Sequence, residues 1–233
     1  MRSTRHPERL AREPRTIRSA ARWGAAAVLL AGLSALLAGC GAAHHPAAQA
    51  ASTAKPAASG GLYGLVPEPL PHKPSFTLTD TSGRPFSLDA ATAGKLTYLY
   101  FGYTHCPNAC PATMSELSYA IRLQPAAIRH RIEVVFVTVD PRRDTRPVLR
   151  AWLNHYSTSF VGLTGSQSQI AQAEEAAGVP PAPRETQSGN YSVPHSSILF
   201  AYSPDGRAHV VYATGFSPTD YAHDMPLLLR FAG

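Results

Sequence analysis

Two short runs constrain the fold of this chain more than anything else in it. Leu96-Thr-Tyr-Leu-Tyr-Phe101 and Ile132-Glu-Val-Val-Phe-Val-Thr-Val139 are almost continuously apolar, β-branched or aromatic. Runs of this length and composition read as strands buried on both faces, which is the habit of a central sheet covered by helices. Between them, Met114, Leu117, Ile121 and Leu123 recur at roughly helical spacing in a segment opening at Pro111. Strand, helix, strand predicts a parallel pair with a crossover helix. The same alternation continues. Arg146 to Tyr156 carries Val148, Leu149, Trp152 and Leu153 on one helical face, Phe160 to Leu163 is a short strand, and Ser166 to Ala177 is a helix stopped by Gly178 and two prolines.

The last third changes pattern. Ser197 to Tyr202 reads as a strand, Ser203-Pro-Asp-Gly206 as a turn, and His209 to Ala213 as the returning strand. A final helix is expected from about Thr219, with Pro226 kinking it or marking a break. At the front, Phe76 to Asp80 and Phe86 to Leu88 flank Ser82-Gly83 as a β-hairpin. A βαβ unit followed by ββα is the thioredoxin arrangement. The expected fold is therefore α/β and thioredoxin-like: a central mixed sheet flanked by helices, with an added N-terminal β-hairpin.

The formal charge of +6 over 233 residues is misleading. Residues 1–39 hold seven of the 21 Lys and Arg residues and two of the 15 acidic ones, so the remainder is nearly neutral. Nucleic-acid binding has no compositional support. Arg2, Arg5, Arg9, Arg12, Arg15, Arg18 and Arg22 instead precede an apolar run from Ala25 to Ala38, the order of an export signal, and the run is too short to span a bilayer comfortably. Leu37-Ala38-Gly39-Cys40 resembles a bacterial lipoprotein box, in which the cysteine is lipidated. The expected organisation is a signal peptide over 1–39, an Ala/Pro-rich tether over 40–64 anchored through Cys40, and a folded domain over 65–233. The domain would stand on the extracytoplasmic side of the cell membrane. His44 and His45 in the tether read as incidental.

With Cys40 assigned to the anchor, Cys106 and Cys110 are the only thiols of the mature domain. A disulfide between them would close so small a loop that chain entropy gives it roughly 2 kcal/mol, so the pair is expected to be chemical rather than structural. They stand where a buried strand ends and a helix begins, in Phe101-Gly-Tyr-Thr-His-Cys106-Pro-Asn-Ala-Cys110-Pro111. Unpaired backbone N–H groups at a helix start lower thiol pKa values. Two adjacent thiolates suit Cu(I) or an exchangeable disulfide, and Cu(II) calls for a further ligand such as imidazole. His195, just before a predicted strand, is the candidate. His105, Tyr103 and Met114 read as surface, packing and core. Asp140 and Asp144 read as a turn with Asp144 or Thr145 capping the next helix, and His130, His155, His209 and His223 as surface.

From about Leu65 onward the chain resembles the Sco/SenC family of copper chaperones. The resemblance rests on the 101–111 segment, on Phe136-Val-Thr-Val-Asp140-Pro-Arg-Arg-Asp144-Thr, on Leu163-Thr-Gly165 and on His195-Ser196, in that order. It implies a thioredoxin fold, copper (Cu(I), Cu(II) or both) held by Cys106, Cys110 and His195, and a role in assembling the binuclear copper centre of cytochrome c oxidase. The implied partners are the copper-receiving oxidase subunit and a thiol reductant or thioredoxin-like protein that keeps the pair reduced. Two positions depart from the family pattern: Asn108 and Pro194 stand where Asp is usual. Both remove negative charge near the site, which points the thiols toward thiolate. The alternative to a metallochaperone is an enzyme, a thiol–disulfide oxidoreductase using Cys106 and Cys110 as its redox pair; a copper or redox sensor is a lesser alternative.

Overall fold

The computed structural model describes residues 61–183, 189 and 191–232. The export segment, Cys40, His44 and His45 lie outside the described residues. Among those described, the chain forms one seven-stranded sheet with helices on both faces. A short hairpin comes first, β1 (Thr77–Asp80) and β2 (Pro85–Ser87), then a single helical turn, α1 (Leu88–Ala91). Next come β3 (Leu96–Gly102), α2 (Ala109–Arg122), α3 (Ala126–Arg129), β4 (Ile132–Thr138) and α4 (Arg146–Asn154). The chain continues through β5 (Val161–Thr164), α5 (Gln167–Ala176), β6 (Leu199–Tyr202), β7 (Ala208–Tyr212) and α6 (Pro218–Leu228).

The strand order is β2-β1-β5-β4-β3-β6-β7. β3, β4 and β5 are parallel, and β6, β7 and the β1–β2 hairpin are antiparallel to their neighbours. This is the mixed thioredoxin sheet expected from the sequence, with the added hairpin pairing onto β5 at the edge. All seven residues of β3 are buried. Its side chains alternate between two cores, as strand geometry requires. Leu96, Tyr98 and Tyr100 face α2, α4 and α6 through Met114, Leu117, Leu149, Leu153, Tyr221 and Met225. Leu99 and Phe101 face the other layer, built from Leu88, Ile170, Ala173, Val179, Ala182 and Val193. No helix among the described residues is long and apolar enough to cross a membrane.

Of the two outcomes expected at Pro226, a kink or a break, the break is excluded: α6 runs through to Leu228 with the proline inside it. A proline inside a helix strips the carbonyl four residues earlier of its donor. Here that carbonyl belongs to Ala222, and the side-chain amide of buried Gln124 donates to it at 2.9 Å. The replacement partner lets the helix continue. A capping box of Ser217 and Asp220 starts the same helix, and one of Ser166 and Gln169 starts α5.

Two buried carboxylates pin peripheral segments. Asp224 on α6 accepts from the backbone N–H of Tyr63 and Gly64, from the Tyr212 hydroxyl and from His223 Nδ1, each near 2.8 Å. Glu174 on α5 accepts from the Ala182 N–H at 3.1 Å and holds the proline-rich stretch after the helix. Burial pushes the Glu174 carboxyl up to about 7. A carboxyl with a higher pKa folded than unfolded favours the fold below the ordinary carboxylate range, and that contribution is lost as pH rises to the folded value. Thermal melts of the parent and Glu174→Gln from about pH 5 to about pH 8 should therefore show the parent losing ground up to about pH 7 and none above. A difference between the two that does not vary with pH would contradict this.

Candidate metal centre

The chemistry-bearing corner starts at Gly102, the last residue of β3. A Cβ at this position would lie 2.7 Å from Cys110 Sγ, 2.9 Å from the Tyr100 ring and 3.0 Å from the Phe136 ring. Glycine is required because the thiol packs directly on the backbone. The chain then turns, with the Cys106 N–H donating to the Tyr103 carbonyl at 3.2 Å. α2 opens at Ala109, two residues before the expected Pro111, and the Cys110 N–H points at Cys106 Sγ at 3.4 Å. Both cysteines are free thiols; Cys106 is half-buried and Cys110 buried.

His195 arrives from the segment before β6. Its Nε2 lies 3.6 Å from Cys110 Sγ, across 85 residues of chain. Its Nδ1 is 2.8 Å from the Ser196 carbonyl, which can only accept, so the Nδ1 proton is engaged there. The Nε2 lone pair is left facing the sulfur, the tautomer a metal-binding imidazole needs. The ring stands edge-on to buried Tyr103 at 5.3 Å and to Tyr100 at 6.4 Å. Among the described residues, Cys106, Cys110 and His195 form the group of three whose ligand atoms all lie within 4.8 Å of one another. Two sulfurs and one imidazole nitrogen make a soft donor set.

The expectation that the helix start lowers the thiol pKa values is reversed at Cys110. Burial, which penalises the thiolate, pushes this thiol well above the usual range, against an opposing contribution from the Tyr103 backbone. Desolvation outweighs the helix terminus because the sulfur is wholly inside the core. Asn108 is exposed at the start of α2 and makes no side-chain capping bond. Pro194 lines a cavity of about 440 Å³ with Pro180, Pro181, Pro183, His195 and Ser196.

Asp140 and Asp144 do more than cap a helix. Thr145 begins α4 without a side-chain capping bond. Asp144, fully buried, instead accepts from the Thr104 N–H at 2.9 Å, the Thr104 hydroxyl at 2.5 Å and the Thr138 hydroxyl at 2.7 Å. It thereby fixes the residue two places before Cys106. Burial raises its pKa, and the hydroxyl donors pull the other way. His105 is exposed and Met114 lies in the core, as expected. His209 and His223 are only half-buried rather than free at the surface: His209 stacks on Phe231 and His223 on Tyr63, each at 3.8 Å. An aspartate four residues before His209 and one directly after His223 were the available sequence signals.

A family model described as SCO1/SenC matches residues 67–230. A Stutzerimonas stutzeri protein named for copper binding is 38% identical over 139 residues, 59% of this chain and 68% of that protein. The copper-bound structure of Bradyrhizobium japonicum ScoI superposes with a TM-score of 0.59 at 30% identity, over 66% of this chain and 98% of that one. The solution structure of apo Sco1 from Thermus thermophilus gives 0.62 at 29% identity, over 72% and 97%.

Replacing Gly102 by Ala tests the packing at the core of the site. The added carbon must displace Cys110 Sγ or two aromatic rings, at a cost of about 1–3 kcal/mol. In a Cys106→Ser background, Gly102→Ala should lower the melting temperature and speed alkylation of Cys110. An unchanged alkylation rate would show that the thiol does not depend on this contact.

Proposed function

The chain belongs to the SCO1/SenC family, and from that premise we propose that it is a copper-binding metallochaperone that helps assemble the binuclear copper centre of cytochrome c oxidase. The observation that carries this reading is the convergence of Cys106, Cys110 and His195 within 4.8 Å. The two sulfurs supply ligands suited to Cu(I), and the His195 Nε2 lone pair supplies the borderline donor that Cu(II) favours. Cys110 enters copper binding as a thiol and must give up its proton, so uptake is coupled to proton release. Cys106 is the less deeply buried of the two cysteine residues and lies outside α2, so it is the thiol an incoming acceptor reaches first. Exchange onto a copper-receiving oxidase subunit would proceed from that side. A thiol reductant or thioredoxin-like protein would return the pair to the reduced state after oxidation.

The N-terminal sequence fits this work. In the proposed organisation, residues 1–39 direct export, Cys40 carries the lipid, and the residues from 40 to about 60 tether the domain on the outer side of the cell membrane; the domain starts a few residues before the expected 65, since Leu62 is in the core and Tyr63 and Gly64 are held by Asp224. The missing carboxylates at Asn108 and Pro194 leave the rim of the site less negative than the family pattern, which bears on the charge a partner must present.

A second reading has one specific observation in its favour. Cys106 and Cys110 are both free and adjacent, with the Cys110 N–H 3.4 Å from Cys106 Sγ and Cys110 the more deeply buried residue, an arrangement a thiol–disulfide oxidoreductase can use for its attacking and resolving cysteines. That chemistry has no need of His195. Copper titration of the reduced parent, His195→Ala, Cys106→Ser and Cys110→Ser separates the two. The chaperone reading predicts one tightly bound copper per chain with a sulfur-to-Cu(II) charge-transfer band. The band is lost in either serine variant and lost or strongly altered in His195→Ala. Weak copper binding indifferent to His195, together with rapid disulfide exchange, would establish the oxidoreductase instead.

A further inference from the structure

The turn that follows β4 reaches both halves of the site. It is closed by the Asp144 N–H donating to the Asp140 carbonyl at 2.9 Å, and it hangs from the sheet through the Val139 N–H to the Gly102 carbonyl at 2.8 Å. On one side Asp144 holds Thr104 and with it the approach to Cys106. On the other side Arg143 holds Tyr191, four residues before His195. Arg143 Nε pairs with Asp140 Oδ2, and Nη1 donates to the Tyr191 carbonyl at 2.9 Å. The guanidinium lies 3.6 Å from the centre of the Tyr191 ring and 5.6 Å from that of Tyr103. The Tyr191 hydroxyl closes the triangle by donating to Asp140 Oδ1 at 2.9 Å.

An exposed ion pair would be worth little. This one differs in three ways. Its side chains are only 15% and 2% exposed. The guanidinium serves a carboxylate, a carbonyl and an aromatic face at once, a combination the single ammonium of lysine cannot reproduce. And the Tyr103 ring within its reach is the one packed edge-on against His195. The only other buried apolar anchor in the 191–195 segment is Val193.

We propose that Arg143 is a positioning residue for His195. It locks the 191–195 segment to the 140–144 turn, which the Asp144–Thr104 bonds tie to the cysteine loop, and so fixes the distance from His195 Nε2 to Cys110 Sγ. The proposal rests on Cys106, Cys110 and His195 being the copper ligands. Groups that orient metal ligands from outside the coordination sphere typically cost about ten- to a hundred-fold in affinity when removed.

The test compares the parent with Arg143→Ala, Arg143→Lys and Tyr191→Phe in three measurements. In the copper-free protein, a nuclear Overhauser contact between the Tyr103 and His195 rings should weaken or vanish in Arg143→Ala. On copper loading, that variant should bind about ten- to a hundred-fold more weakly with a shifted charge-transfer band. Arg143→Lys, which keeps the charge toward Asp140 and loses the fork toward Tyr191, should recover only part of both effects. Melting temperature controls for the fold. If Arg143→Ala does not fold, Tyr191→Phe decides the matter, because it removes only the hydroxyl bond to Asp140 and should move the ring contact and the band the same way by less. Unchanged ring contact, affinity and band in the folded variants would overturn the proposal. A parent without a His195-dependent copper band would instead overturn the ligand assignment, while the ring contact in copper-free protein would still report on positioning.

Discussion

Cys110 Sγ lies against the backbone of Gly102 at a distance no side-chain carbon on that residue would allow. Much of the site follows from this approach. It brings the first turn of α2 down onto the end of β3 and places one thiol in the core, where water cannot stabilise its thiolate. That sulfur can then meet an imidazole arriving from a distant part of the chain. The second cysteine, four residues earlier and outside the helix, is less deeply buried. Two sulfurs and the nitrogen of an imidazole packed edge-on against aromatic rings make a compact soft donor set.

Such a site has to be held from outside. The central strands supply rigidity, since β3 is buried along its whole length and paired on both edges. The connecting segments lack that support and are pinned by buried polar groups instead. Asp144 fixes the cysteine loop, the Asp140–Arg143–Tyr191 triangle fixes the histidine segment, and Glu174 fixes the prolines that border the same cavity. Losing one partner of such a buried group leaves a charge or N–H unsatisfied, so these contacts are costly to remove even where their net contribution to stability is small.

How much of this was legible in the sequence depends on the range of the interaction involved. The two apolar runs announced β3 and β4 because burial on both faces leaves a local signature, and the cysteine spacing is itself local. The mixed, thioredoxin-like arrangement followed from the order of strands and helices. His195 was a weaker case: its place before a strand made it a candidate, but a single histidine there carries little signal, and the family resemblance is what raised it to a ligand. The roles of Asp144 and Arg143 were hidden for the same reason. Their partners lie 40 and 48 residues away, and an aspartate before a helix looks like a cap. The continuation of α6 through Pro226 depends on Gln124, about a hundred residues earlier, and the raised thiol pKa depends on packing that no sequence pattern displays.

The central claim is that two sulfurs and one imidazole from this chain hold copper together. X-ray absorption at the copper edge, on the loaded protein and on His195→Ala, tests it most directly. The account predicts a shell of two sulfurs with the outer-shell scattering of one imidazole, the latter absent from the variant. A shell with a single sulfur, or one without imidazole in the parent, would contradict it.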